Sequence, residues 1–373
     1  MLPERLLVFS ALLVCIPFSI RAQSATPDFP EAESMLRDLN HKLPKSGVQV
    51  GPGNTITIQS GVGTPTSINV LSFGQSGTLL AAGKDFGRVV VWNVVTRKVV
   101  CAIETGQGII HAVAISPDGE FLATAGEGDR SSLKLWHLPN GKLIKKFRSS
   151  AGYIQSLSFG PNSKWVVFSE NSGPTRVLKL SSGKTLLDLQ GAFSPVLSVD
   201  GTVLMVATKD RLSLWNTSDW AMIRELPSKH AYAVPLAVDP KTDRFVFTAG
   251  GAFYLANLRT GELMQSTQRP VLPGFNLAAG GFAAFDPSAP DLLFGHSSGR
   301  LWGWDVRTGK TCASGVLYSE SGALTPDGTL LAGAKDNSIF QQGQSPDGVL
   351  LWDTKQLAKT CGLAPDRPVP DER

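Results

Sequence analysis

The sequence predicts an all-β chain: a seven-bladed β-propeller of four-stranded antiparallel blades, with one short helical segment at the N-terminus. Three observations predict it. A phrase returns about every forty residues, as Trp92-Asn93-Val94, Trp136-His137-Leu138, Trp215-Asn216-Thr217, Trp304-Asp305-Val306 and Trp352-Asp353-Thr354. Each copy ends a short apolar stretch that follows a Pro-Asp-Gly type of turn, as at Ser116-Pro117-Asp118-Gly119 and Thr325-Pro326-Asp327-Gly328. Charged residues are 18%, below the roughly 25% of ordinary domains, while 38 Gly and 24 Pro suit strands joined by many tight turns.

Weaker copies complete the count. Ala256-Asn257-Leu258-Arg259-Thr260-Gly261 aligns without a gap on Trp304-Asp305-Val306-Arg307-Thr308-Gly309, and Leu178-Lys179-Leu180-Ser181-Ser182-Gly183 aligns on Trp136 to Gly141. The repeated position is therefore Trp92, Trp136, Leu178, Trp215, Ala256, Trp304 and Trp352, one for each of seven blades. The stretch Leu79 to Trp92, apolar strand, Gly-Lys-Asp turn, apolar strand, Trp, resembles the core of a WD-repeat. The resemblance covers about four fifths of the chain and implies the propeller fold, while being nearly mute on function, because WD-repeat propellers serve many unrelated roles. It departs from the family in lacking most Gly-His openings, in Phe86 at the turn Asp position, and in keeping Trp-Asp only at Trp304-Asp305 and Trp352-Asp353.

In chain order, residues 1–22 are expected to be a cleaved signal: Arg5 precedes an apolar run from Leu6 to Ile20, and Arg21-Ala22 ends it with a small residue. The run is too short, and too broken by Pro17, for a membrane span. The mature chain is then exported, periplasmic or extracellular, with 33 basic and 30 acidic residues once Arg5, Arg21 and Glu4 are removed. Residues 23–53 form an extension with a helix over about Glu31 to Leu43, residues 54–364 the propeller, and residues 365–373 a tail. The alternating Thr55-Ile56-Thr57-Ile58-Gln59 is the expected closing strand, in competition with a fourth strand of blade 7 near Lys359 to Leu363.

In each blade, strands a to d run outward from the axis, so the d-to-a and b-to-c connections emerge on one face and the a-to-b and c-to-d turns on the other. The first face is expected to bind, because its b-to-c loops vary and the last, Lys335 to Gly348, is long. Arg88, Arg211 and Arg300 each stand four residues before their Trp. Together with Arg130, Arg176 and Phe340 in the same loops, and His111, Gln155 and Glu320 at the mouth of strand a, they are the candidate partner-binding residues.

Chemistry is sparse. Gly295-His296-Ser297-Ser298-Gly299 matches the nucleophile-elbow pattern, but it lies between two strands of blade 6 and is expected to be a hairpin turn. The five histidines lack metal-ligand spacing, and the ring Asn69, His111, Gln155, Phe193, Val234, Gly281 and Glu320 holds one carboxylate, poor for calcium. No cofactor is expected. Near-neutral charge without a basic run argues against nucleic acid. Cys101, Cys312 and Cys361 fall in last strands of blades and are expected to be thiols packed as small hydrophobes. The expected function is a non-catalytic exported scaffold for a protein or peptide; the alternative is a hydrolase or oxidoreductase acting in the central channel.

Overall fold

The computed structural model describes residues 56–59, 67–128, 132–148, 152–171, 173–227, 233–249, 252–266, 282–286, 289–297, 300–313, 321–335, 348–360 and 362–363. All lie in the compact unit Gly47–Arg373. The expected helix over Glu31 to Leu43, the leader and the C-terminal tail lie outside them.

The first strand is β1 (Ile56–Gln59). Blade 1 has β2 (Ile68–Phe73), β3 (Leu79–Lys84), β4 (Arg88–Asn93) and β5 (Lys98–Glu104); blade 2 has β6 (Ile110–Ile115), β7 (Phe121–Gly126), β8 (Ser132–His137) and β9 (Lys142–Arg148). Blade 3 has β10 (Ile154–Phe159), β11 (Trp165–Glu170), β12 (Thr175–Lys179) and β13 (Thr185–Leu189). Blade 4 has β14 (Phe193–Leu197), β15 (Val203–Ala207), β16 (Arg211–Asn216) and β17 (Met222–Pro227). Blade 5 has β18 (Val234–Asp239), β19 (Arg244–Ala249), β20 (Ala252–Asn257) and β21 (Leu263–Ser266). Blade 6 has β22 (Phe282–Asp286), β23 (Ala289–Ser297), β24 (Arg300–Asp305) and β25 (Thr311–Ala313), and blade 7 has β26 (Gly322–Leu324), β27 (Leu330–Lys335) and β28 (Gly348–Asp353). Six sheets run in sequence order, and the seventh runs β1-β28-β27-β26. The a strands adjoin in the circular order β2, β6, β10, β14, β18, β22, β26 and back to β2, which closes the ring.

Closure therefore uses the N-terminal strand: Ile56 pairs with Leu351 and Gln59 with Gly348. The competing strand near Lys359 to Leu363 is corrected. Thr354–Thr360 is a helix, α1. In the other six blades the residue five after the repeated position turns the chain with positive φ: Arg97 (58°), Gly141 (64°), Gly183 (76°), Trp220 (62°), Gly261 (77°) and Gly309 (74°). Blade 7 has Leu357 there, which resists that conformation. The Asx side chain is reused instead. Asp305 Oδ1 accepts the Arg307 and Thr308 N–H groups to form a turn, while Asp353 Oδ1 accepts the Gln356 N–H at 2.8 Å and caps a helix.

The repeated tryptophans fill wedges between blades. Trp136 packs with Ala81, Val89, Val91 and Ile103 of blade 1, and Trp304 with Val246, Phe253 and Leu255 of blade 5. Gly295 has a packing reason: a Cβ there would come within 2.1 Å of the Trp302 ring. The nucleophile-like motif does lie on a hairpin, with Ser297 paired to Arg300 across β23 and β24.

The a-to-b turns are tight and alike. Ser116 Oγ donates to Asp118 Oδ1 at 2.5 Å, the Glu120 N–H donates to the same carboxylate, and Ser198-Asp200 and Thr325-Asp327 turns follow the pattern. Burial acts against ionisation at Asp118, Asp200 and Asp327, but these hydrogen bonds outweigh it and hold all three carboxyls below their ordinary range.

The cysteine expectation is corrected in part. Cys312 is disulfide-bonded, while Cys101 is a free, half-buried thiol whose pKa burial raises. The partner sulfur of Cys312 lies outside the described residues.

Candidate functional site

The first face carries a repeated irregularity at its inner edge. In blade 1 Ile68 pairs with Lys84 and Val70 with Gly83, so Asn69 is an extra residue; His111 and Gln155 are the extra residues of blades 2 and 3. Such bulges re-aim a side chain away from the ladder. Asn69 Nδ2 donates to Asp85 Oδ1 at 2.9 Å, and His111 Nε2 lies 2.9 Å from Glu127 Oε1. The His111 ring also packs on Tyr153, with centroids 4.5 Å apart. Gln155 is exposed beside them in sequence. Adjoining strands β2, β6 and β10 thus present a patch that mixes amide, imidazole, phenol and carboxylate groups.

Phe86 follows Asp85, the partner of Asn69, in chain order. The turn Asp85–Gly87 is clamped, because Gly87 O accepts both the backbone N–H and the hydroxyl of Thr105, each at 2.7 Å. Phe86 is held at φ 59°, ψ 22°, with 80% of its surface exposed. A bulky residue in the left-handed region is uncommon and costs of order 1–3 kcal/mol, and here it shows an aromatic ring to solvent. Next to it, Lys84 is buried; desolvation first, and then the Arg88 charge, push its amine down to about 8 against the pull of Asp85 and Glu104.

Three of the predicted arginines are each paired with acids. Arg88 pairs with Glu104 at 3.3 Å, Arg176 with Glu170 at 2.9 Å and Asp188 at 3.0 Å, and Arg211 with Glu225 at 2.7 Å. Each pair lies within one blade, and the Glu225 contact holds Arg211 above its ordinary pKa. Arg300 begins β24, and no more is described of it. Arg130, Glu320 and Phe340 lie outside the described residues, as does Gly281. Of the five expected ring positions among the described residues, Phe193 and Val234, which begin β14 and β18, are apolar.

Blade 2 holds one buried network that links three elements. Gln107, from the d-to-a connection, donates to Ser132 O at 2.6 Å and accepts from Thr124 Oγ1 at 2.5 Å; Thr124 Oγ1 accepts the Trp136 indole N–H at 2.9 Å. The family model described as "WD domain, G-beta repeat" matches residues 99–137, the span that contains it. Residues 99–137 thus match a WD repeat.

Among relatives, the chain is 32% identical over 142 residues to the small ribosomal subunit protein RACK1y of Oryza sativa subsp. japonica, covering 35% of this chain and 41% of that protein. It is 29% identical over 92 residues to WD repeat and SOCS box-containing protein 1 of Homo sapiens, covering 24% and 22%. The chain thus spans under half the length of these relatives. The crystal structure of the Myceliophteria thermophila Cps50 (Swd1) β-propeller domain superposes with a TM-score of 0.60 at 16% identity, covering 80% of this chain and 99% of that one, a likeness of fold.

Sequence reasoning missed Asp85, Glu127 and Tyr153 as parts of the patch. A signal was available: Asn69 with Asp85 and His111 with Glu127 are both 16 residues apart, the same step in two successive repeats.

Proposed function

We propose that this WD-repeat propeller is an exported, non-catalytic module that binds a protein or peptide on its first face, at the inner edge of blades 1 to 3. The observation that carries it is Phe86, an exposed aromatic ring held in an unfavourable conformation by a clamped turn. Aromatic anchors ringed by polar groups are what protein interfaces use. His111, Tyr153 and Gln155 supply such a rim. WD-repeat propellers generally bind proteins, which supports the class of partner. Export is supported by the apolar leader and by the Cys312 disulfide, since such bonds persist in oxidising compartments.

The test is affinity capture from native extract with the mature chain as bait. Phe86→Asp should lose the captured protein while its thermal midpoint stays at or above wild type. Capture unchanged by Phe86→Asp, and also by Arg88→Glu, Arg211→Glu and Arg300→Glu, would exclude this face. Intact mass should place the N-terminus at Gln23, and full-length chain in the membrane fraction would contradict export.

A further inference from the structure

Charge is distributed unevenly along this chain. From Lys134 to Lys184 there are nine basic residues and one acidic residue, Glu170, a formal charge of +8 in a chain whose total is +4. The stretch covers the outer part of blade 2 and most of blade 3. Lys142, Lys164, Lys179 and Lys184 are exposed and have no ion-pair partner among the described residues. They belong to the a-to-b and c-to-d side, opposite Phe86. Backbone bonds bring them together, Leu180 N–H to Lys164 O and Lys179 N–H to Lys184 O, each at 2.9 Å. Lys145 ties blade 2 to this corner by donating to Leu180 O and Ser181 O.

Between the same two blades is a slot of about 320 Å³, walled by Leu133, Phe147, Ile154, Phe168 and Leu178. Arg148, Arg176, Gly183, Thr185 and Asp188 also line it, and the Asp188 carboxylate is paired with Arg176 at 3.0 Å. The edge strand β9 borders it, with Leu143 and Ile144 exposed. Lysines on an edge strand ordinarily discourage pairing with other chains. That role explains Lys142 and Lys145, but not Lys164, Lys179 and Lys184 in turns and an inner strand, nor the apolar slot. The other edge strands carry no such excess: β5 has Lys98 and Glu104, and β17 has Arg224 and Glu225.

We infer a second docking site here, for an extended acidic peptide segment that sets one large apolar side chain in the slot between blades 2 and 3. Its carboxylates face Lys164, Lys179, Lys184 and Arg148, and its backbone runs beside the open edge of β9. Charge complementarity selects the acidic partner, and the slot selects the apolar residue among acidic ones.

Fluorescence anisotropy with the mature chain tests this, using labelled Glu-Glu-Glu-Phe-Glu-Glu as probe. Comparison probes are the same peptide with Ala for Phe, its Lys-for-Glu counterpart, a short single-stranded DNA oligomer and heparin. The Phe peptide should bind, weaken on the order of tenfold in the Lys164→Glu/Lys179→Glu/Lys184→Glu variant, and weaken as salt shortens the reach of charge. The Ala peptide should bind less tightly, and Thr185→Trp, which fills the slot from an exposed position, should remove the difference. No binding by about 1 mM, equal binding by the Lys peptide, or indifference to the charge reversal would overturn the site. Heparin or DNA binding as tightly as the Phe peptide, with Phe and Ala peptides alike, would make it a general polyanion surface and overturn the peptide assignment. All the variants leave the first face unchanged, so this result and the Phe86 result read out separately.

Discussion

Phe86 concentrates the functional argument in a single dihedral angle. Asn tolerates the left-handed region better, so Phe86→Asn should stabilise the fold by about 0.5–1 kcal/mol while weakening capture of the partner. Urea melts beside the capture assay check both halves; a destabilised variant would mean that the ring packs rather than waits. Lys84 makes a second prediction. Its folded pKa, about 8, lies below its ordinary 10.5, so the unfolded chain holds the proton more tightly and stability rises with pH across that window. Relative to Lys84→Met, wild type should gain between about pH 7.5 and pH 10, and a constant difference in urea midpoint would contradict the assignment. The tryptophans differ by position. Trp136, buried between blades with its indole N–H bonded, should cost about 3–5 kcal/mol as Ala. Trp220 meets Trp165 edge-on at 4.8 Å from a positive-φ turn, so Trp220→Gly should cost about 1 kcal/mol or less in the same melts.

Among the elements, β1 and α1 decide how the ring is finished. Deleting residues through Gln59 should leave β28 as an open edge, lower the urea midpoint and promote association at high protein concentration. An unchanged midpoint would mean that β1 is dispensable. The disulfide belongs to the same corner, because Cys312 packs in one cluster with Ala358 and Leu363, which flank Cys361 in sequence. Non-reducing peptide maps should join the Cys312 and Cys361 peptides; a Cys312 peptide recovered free would contradict it. The elements also show what periodicity can reveal. Strand positions in blade 2 were legible because Trp, Pro-Asp-Gly and apolar alternation repeat there, and the strand Ser132–His137 carries the repeated Trp136-His137 at its end. The fate of residues 354–360 was not, since Trp352-Asp353 begins the c-to-d turn normally and only the missing left-handed residue at Leu357 diverts it. Bulges at Asn69, His111 and Gln155 were likewise hidden, being a property of pairing between strands rather than of one strand's pattern.

At the scale of the whole molecule, seven similar blades make a rigid ring whose two faces carry different chemistry. The near-neutral total charge concealed the +8 stretch between Lys134 and Lys184, because a net value averages over blades that face different directions. The candidate arginines were legible as a repeated offset, yet Arg88, Arg176 and Arg211 are each held by acids of their own blades, a cross-strand pairing that spacing from Trp does not disclose. What remains at the first face is the strained aromatic with its polar rim. Site-specific photo-crosslinking tests that claim most directly, with a benzophenone side chain in place of Phe86 in one sample and of Gln75, in the exposed a-to-b turn of the same blade, in another. In native extract the position 86 probe should trap a discrete partner that the position 75 probe does not; trapping at position 75 alone would show that the opposite face is the one that binds.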